Sequence, residues 1–226
     1  YTGSMRVEAH GIGSVMHVIK RGGRGMEICR NDDDREKFVR SLFYLNDEYV
    51  DPYWLTTTSN LKPPHKPNHW PDRKPLVEIL AWTLMPNHFH LLLKEIADGG
   101  IASFMQGLCG SMSKQYNNKY DEIGSIFQGG YRGKTVDNDD YLRYVLPYIV
   151  VKNVFELYPG GLAAATKSFE KAWQWALTYP YSSLLTHAKG NVSPILAMRA
   201  VKEILESGAL FKKQSYDMLI AHAQQR

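Results

Sequence analysis

The groups best placed to do chemistry are two histidines and a row of tyrosines. Pro86-Asn87-His88-Phe89-His90-Leu91-Leu92-Leu93 sets two imidazoles two residues apart in an apolar segment. On a strand, residues i and i+2 face the same side. His88 and His90 then project together, while Phe89, Leu91 and Leu93 project the other way. Two adjacent imidazoles can share one divalent cation and leave positions open for substrate oxygens. They can equally be two unliganded histidines on a half-exposed strand, and a bare His-x-His does not decide. Tyr141, Tyr144 and Tyr148 recur at helical spacing, with Lys152 four residues on, so all four share one helix side. Such a stripe packs a groove, or one of its tyrosines is a nucleophile beside a cation. Spacing does not say which. Pro147 removes a backbone hydrogen bond inside this helix and predicts a kink just before Tyr148.

Basic residues form two further groups. Lys20, Arg21 and Arg24 surround Gly22-Gly23, and Arg132 and Lys134 flank Gly133 near Tyr131 and Phe127. Cations for phosphates and rings for bases are what a single strand requires, although each cluster alone also reads as solvated surface. The remaining histidines, His10, His17, His65, His69, His187 and His222, are scattered. The sequence contains no Gly-rich phosphate loop, nucleophile elbow or dinucleotide fingerprint.

These residues need elements to position them. Residues 15–20 read as a strand and 21–25 as a flexible basic turn. Asp32, Asp33 and Asp34 precede an apolar stripe from Phe38 to Leu45, which predicts a helix over 33–49. Residues 51–75 hold six of the eleven prolines and form a surface excursion, with a local charge of +3 between Lys62 and Lys74. Residues 76–85 and 88–94 make an antiparallel hairpin about Pro86-Asn87. A helix over 101–120 follows, then short strands at 125–128 and 131–136. Asp137 is the expected N-cap, with Asp140 at N3, of a helix over 139–156. Beyond Gly160-Gly161, 162–177 reads as one amphipathic helix and 193–223 as two more. The order is β-α-loop-β-β-α-β-α, then helices. It predicts an α+β fold of the split βαβ, ferredoxin-like type, with an antiparallel sheet, helices packed on it and a C-terminal helical extension. Domain limits fall at 5–160, containing the 51–75 excursion, and at 161–226.

Length and composition agree. The chain has 226 residues, 44% apolar and 22% charged, which suits a globular protein rather than a disordered one. Two cysteines, Cys29 and Cys109, make no disulfide framework and fit a cytoplasmic protein. No apolar run reaches membrane-helix length, and no signal-peptide pattern opens the chain. Tyr1-Thr2-Gly3-Ser4 before Met5 reads as a cloning remnant. The 27 basic and 23 acidic residues leave +4, with a pI near 8.9. That surplus permits a nucleic-acid partner without requiring one.

Together the motifs resemble the single-tyrosine HUH transposases, the IS200-like and REP-associated tyrosine transposases. The resemblance runs over most of 12–158. It covers His17-Val18-Ile19-Lys20-Arg21-Gly22, then Leu84-Met85-Pro86-Asn87-His88-Phe89-His90-Leu91-Leu92. Gly124-Ser125-Ile126-Phe127-Gln128-Gly129-Gly130-Tyr131-Arg132 follows, then Asp137-Asn138-Asp139-Asp140-Tyr141-Leu142 and Tyr148-Ile149. It implies that His88 and His90 hold magnesium or manganese and that Tyr148 attacks a phosphate of single-stranded, hairpin-bearing DNA. A 5′-phosphotyrosine and a free 3′-OH result. It also implies DNA contacts from Lys20, Arg21, Arg24, Arg132, Lys134 and Lys152, and it allows a homodimer. The family commonly places Gln or Asn four residues after the tyrosine as a third metal ligand. Lys152 stands there in this sequence and Asn153 is next, so either Asn153 is the replacement ligand or the metal has only two protein ligands; Val154 replaces the usual proline. A lysine favours phosphate over metal, which keeps a non-cleaving strand-binding protein of the same fold as the alternative. An unrelated metal-dependent hydrolase, with water as nucleophile, is the third reading.

Overall fold

The computed structural model describes residues 7–204 and 207–224; the Tyr1-Thr2-Gly3-Ser4 remnant lies outside them. Strands β1 (Val15–Arg21), β2 (Val77–Met85), β3 (His88–Glu95) and β4 (Arg132–Val136) form one antiparallel sheet in the order β2-β3-β1-β4. Helix α1 (Asp32–Tyr44) connects β1 to β2, and α3 (Gly100–Tyr120) connects β3 to β4. This is the split βαβ, ferredoxin-like arrangement that the element order predicts.

Alternation along the strands gives the sheet two different faces. Met16, Val18, Phe89, Leu91, Leu93 and Leu84 pack against α1 and α3 with Phe38, Leu42, Phe104 and Leu108. Ala81, Leu92 and Val136 face the other way and pack against residues 145–155 and the C-terminal helices. The chemistry-bearing residues belong to this second face.

Several elements differ from the sequence reading, each for a local reason. Helix α1 stops at Tyr44 instead of 49. The buried Asn46 accepts the Val77 and Leu76 backbone N–H groups and donates to Val77 O, which turns the chain toward β2. The 51–75 excursion is anchored as well as exposed. Trp54, which opens the short α2 (Trp54–Thr57), and Trp70 are buried beside Tyr44. Of residues 125–128 only Phe127 pairs, in a single bridge to Gly22. Asn138, not Asp137, caps the next helix, accepting the Tyr141 N–H at 2.7 Å. The 162–177 helix is two, α6 (Gly161–Lys167) and α7 (Phe169–Ala176), divided at the non-helical Ser168. α8 (Leu184–Lys189) is an unanticipated helix, followed by α9 (Met198–Ile204) and α10 (Gly208–Gln224). No helix among the described residues is long and apolar enough to cross a membrane.

Gly22 ends β1 and fixes the turn that carries the histidine pair. Its N–H donates to Asn87 O at 2.8 Å, and a Cβ there would sit 2.3 Å from Met26 O. Gly22→Ala is therefore expected to destabilise the fold by about 1–3 kcal/mol, read as a lowered urea midpoint. The extension contributes its own acid sensitivity. His187 is buried beside Phe211, and burial pushes its pKa down to about 4. The unfolded chain takes up this proton near pH 6.5 and the folded chain only near 4. Stability therefore falls on acidification through that window, by about 3 kcal/mol from His187 alone. Urea unfolding at pH 7 and pH 4 should differ by about that much less in His187→Leu.

Candidate active site

Directly opposed residues of an antiparallel sheet share a face. The register pairs Arg21 with His88, Ile19 with both His90 and Arg132, and His17 with both Leu92 and Lys134. His17, Arg21, His88, His90, Arg132 and Lys134 thus emerge on one side. His88 and His90 converge with ring centroids 5.0 Å apart. His17, from the neighbouring strand, stacks on His90 at 5.1 Å, and its Nε2 lies 2.9 Å from His90 Nδ1. Sequence reading left His17 among the scattered histidines. Its place on the site face follows only from the β1–β3 register.

Helix α4 (Asp139–Pro147) leads into a wide π-helical turn, Tyr148–Lys152, and then α5 (Asn153–Glu156). The expected disturbance from Pro147 lies after it, not before Tyr148. The Asn153 N–H donates to Tyr148 O, five residues back. Ile149 O instead receives the Thr83 hydroxyl at 2.8 Å and the Asn153 side-chain Nδ2 at 3.1 Å. Such turns recur at functional sites. Here the turn carries Tyr148 over the histidines, its ring 6.0 Å from His17 and 6.2 Å from His90. Tyr144 stacks on Tyr148 at 6.1 Å and Tyr141 on Tyr144 at 6.4 Å. His222 of α10 lies 5.9 Å from the Tyr148 ring and 3.3 Å from the Tyr144 hydroxyl.

Burial holds these imidazoles neutral. The pKa of His88 falls to about 4, through burial first and then Arg21 and Lys152. His17 also falls to about 4, by burial and then Lys134. His90 is driven well below its ordinary value, by burial and then by His17 and His88. Neutral rings have a lone pair to offer a metal. His88 Nδ1 is bonded to Asn87 Oδ1 at 2.7 Å, so Nδ1 carries the proton and Nε2 the lone pair. The histidine pair therefore fits a divalent cation in its donor chemistry. Among the described residues no group of three His, Cys, Asp or Glu is arranged to hold one.

Asn153 donates its Nδ2 to Ile149 O at 3.1 Å, a bond that does not use its Oδ1. The side chains aligned with Tyr148 are Lys152 and Glu156. Lys152 Nζ sits 4.8 Å from the Tyr148 ring centre and 2.6 Å from Glu156 Oε1. Among the other basic residues, Arg21, Arg132 and Lys134 are exposed on the site face, with Lys134 Nζ 4.5 Å from the Tyr141 ring. Arg24 is exposed past the strand end, in a left-handed conformation at φ 53°. Lys20 points to the opposite face. It is buried there, donates to Gly129 O and lies 5.2 Å from the Phe127 ring.

The structure thus seats a helix-borne tyrosine over neutral histidines, bordered by exposed arginine and lysine, on one face of a split βαβ sheet. Residues 72–152 match the profile of the family described as "Transposase IS200 like". That stretch, which contains β2 to β4, α4 and the Tyr148 turn, is similar to the IS200-like transposases. No curated protein sequence matches the chain. Among solved structures, a REP-associated tyrosine transposase bound to a REP hairpin is similar at 14% identity and a TM-score of 0.45. That likeness covers 87% of this chain and 92% of the other.

Proposed function

We propose that the protein cleaves and rejoins single-stranded, hairpin-bearing DNA, with Tyr148 as nucleophile. The observation that carries this reading is the seat of the Tyr148 ring on the His17–His90 pair of its own chain. In the proposed step the Tyr148 oxygen attacks phosphorus and the P–O3′ bond breaks. The phenol loses a proton and the departing 3′ oxygen gains one. One phosphodiester is exchanged for another, so a later 3′-OH can reverse the step on the same or a different strand.

A divalent cation, magnesium or manganese, held by Nε2 of His88 and His90 would supply Lewis-acid polarisation of the phosphate. The protein's own groups have separate tasks. Asn87 fixes the His88 tautomer. His17 Nε2 accepts the His90 Nδ1–H, which leaves His90 Nε2 bare toward the site. The Tyr141–Tyr144–Tyr148 stack holds the phenol, and Arg21, Arg132, Lys134 and Lys152 take phosphate oxygens. Tyr148 and both histidines belong to one chain, so a homodimer is not needed to assemble this site.

The test is incubation with a labelled DNA hairpin bearing single-stranded flanks, with and without magnesium or manganese. A covalent protein–DNA adduct that disappears on chelation is expected. A second reading, strand binding without cleavage, is favoured by Lys152 standing next to Tyr148 and paired with Glu156. It predicts tight binding and no adduct under any metal.

A further inference from the structure

The distribution of charge singles out a part of the molecule that the tyrosine site leaves unused. Residues 161–226 hold eight Lys and Arg against four Asp and Glu, whereas residues 1–160 hold nineteen of each. The whole surplus of +4 therefore lies in the helical extension. It is also concentrated there. A cleft of about 660 Å³ opens between the α6–α7 junction and the first half of α10, and its walls include Lys167, Lys171, Lys212 and Lys213. Half of the extension's basic residues thus line one cleft.

The cleft also has aromatic walls. Phe169 and Tyr216 meet edge to face at 5.1 Å, and the Tyr216 side is exposed. On α10, residues 209, 212, 213 and 216 follow helical spacing and form one face. Lys212 Nζ pairs with Glu170 Oε2 at 2.6 Å and lies 6.0 Å from the Phe169 ring. That pair stiffens the wall. Lys167, Lys171 and Lys213 are exposed and make no ion pair among the described residues. Lysines at the rim of a groove with an accessible ring inside suit a polyanionic strand with stackable bases, and suit an apolar or cationic ligand poorly. The same α10 reaches His222 beside Tyr148, six residues beyond Tyr216, or about 9 Å along the helix axis.

We infer that this cleft is a second nucleic-acid site, which binds a single-stranded DNA segment flanking the phosphate processed at Tyr148. The inference rests on the DNA-processing reading above and adds to it a docking surface outside the 72–152 family segment.

The test compares the full chain with a Lys167→Gln/Lys171→Gln/Lys213→Gln variant and with Tyr216→Ala. Fluorescence anisotropy follows a hairpin with long single-stranded flanks and a hairpin without them. At about 0.1 M salt the triple variant should bind the flanked hairpin at least about 10-fold more weakly. Its log K against log salt slope should be shallower by about two, near 0.7 per lost phosphate contact. Tyr216→Ala should lose a few-fold with an unchanged slope, because stacking releases no counterions. Binding of the flankless hairpin should be unaltered in both. A triple variant that binds the flanked hairpin like wild type, with the same slope, would overturn the cleft while leaving the Tyr148 reading intact. Wild type that binds neither hairpin would overturn both. Preference of the cleft for RNA flanks over DNA flanks of the same sequence would overturn the DNA assignment.

Discussion

Tyr148→Phe is expected to abolish the covalent protein–DNA adduct and to lower strand cleavage by about 10⁴-fold. Only one oxygen is removed. The phenyl ring keeps its contacts with Tyr144, His17, His90 and His222, so the melting temperature should hardly move and DNA affinity should stay near wild type. Tyr144→Phe and Tyr141→Phe separate the nucleophile from its supports. The Tyr144 hydroxyl lies 3.3 Å from His222 Nδ1, and the Tyr141 ring faces Lys134. Each should reduce the cleavage rate by no more than about 10-fold and retain the adduct. Denaturing gels of labelled DNA read all three variants. Cleavage that survives Tyr148→Phe without an adduct would assign the attack to water and the protein to the hydrolases.

How much of this site could be read from the sequence depends on how local the information is. His88 and His90 are two apart on one strand, so period-two alternation fixes their shared side. The tyrosine stripe is likewise internal to one helix, and four strands with two crossing helices follow from hydrophobic pattern and turn residues. Three matters were harder to read, and one of them was not local. His17 acquires its role from a strand partner 73 residues away, and no spacing rule reaches that far. Lys20 and Arg21 look equivalent in sequence, but one residue of offset sends Lys20 to the α1–α3 face and Arg21 to the site. Asn153 looks like a ligand on the expected helix. The π turn, however, rearranges the carbonyls, and Asn153 joins Thr83 in satisfying Ile149 O. A buried carbonyl without its helical donor must find another one. The turn that presents Tyr148 thereby engages the Asn153 Nδ2 and leaves its Oδ1 outside that bond.

His17 is where the second large effect is expected. Its Nε2 can face His90 Nδ1 in two ways. If His17 donates, His90 carries its remaining proton on Nε2, and that nitrogen cannot bind a cation. If His17 accepts, His90 Nε2 is bare. A cation on His90 Nε2 would require the second arrangement, which would make His17 a positioning residue for it. His17→Leu removes the acceptor from a buried place and leaves His90 free to choose the wrong tautomer or to rotate. Manganese affinity, read from the free-ion electron paramagnetic resonance signal, should fall by about 10- to 100-fold, or about 1–3 kcal/mol. Adduct formation at subsaturating metal should fall with it and recover partly at high metal. His17→Gln, which can offer an amide oxygen near the same point, should restore most of the affinity. A merely structural role makes a different prediction. Leu is apolar and of suitable size for this buried position, so a structural histidine would be replaced by Leu with little change in metal affinity, while Gln would give no advantage. Nitrogen-15 spectra of the metal-free protein offer a readout independent of activity. The His90 Nδ1–H resonance should be present and protected in wild type and in His17→Gln, and it should weaken in His17→Leu. Equal manganese affinity in wild type and His17→Leu would remove His17 from the mechanism, and its contact with His90 would then be packing alone.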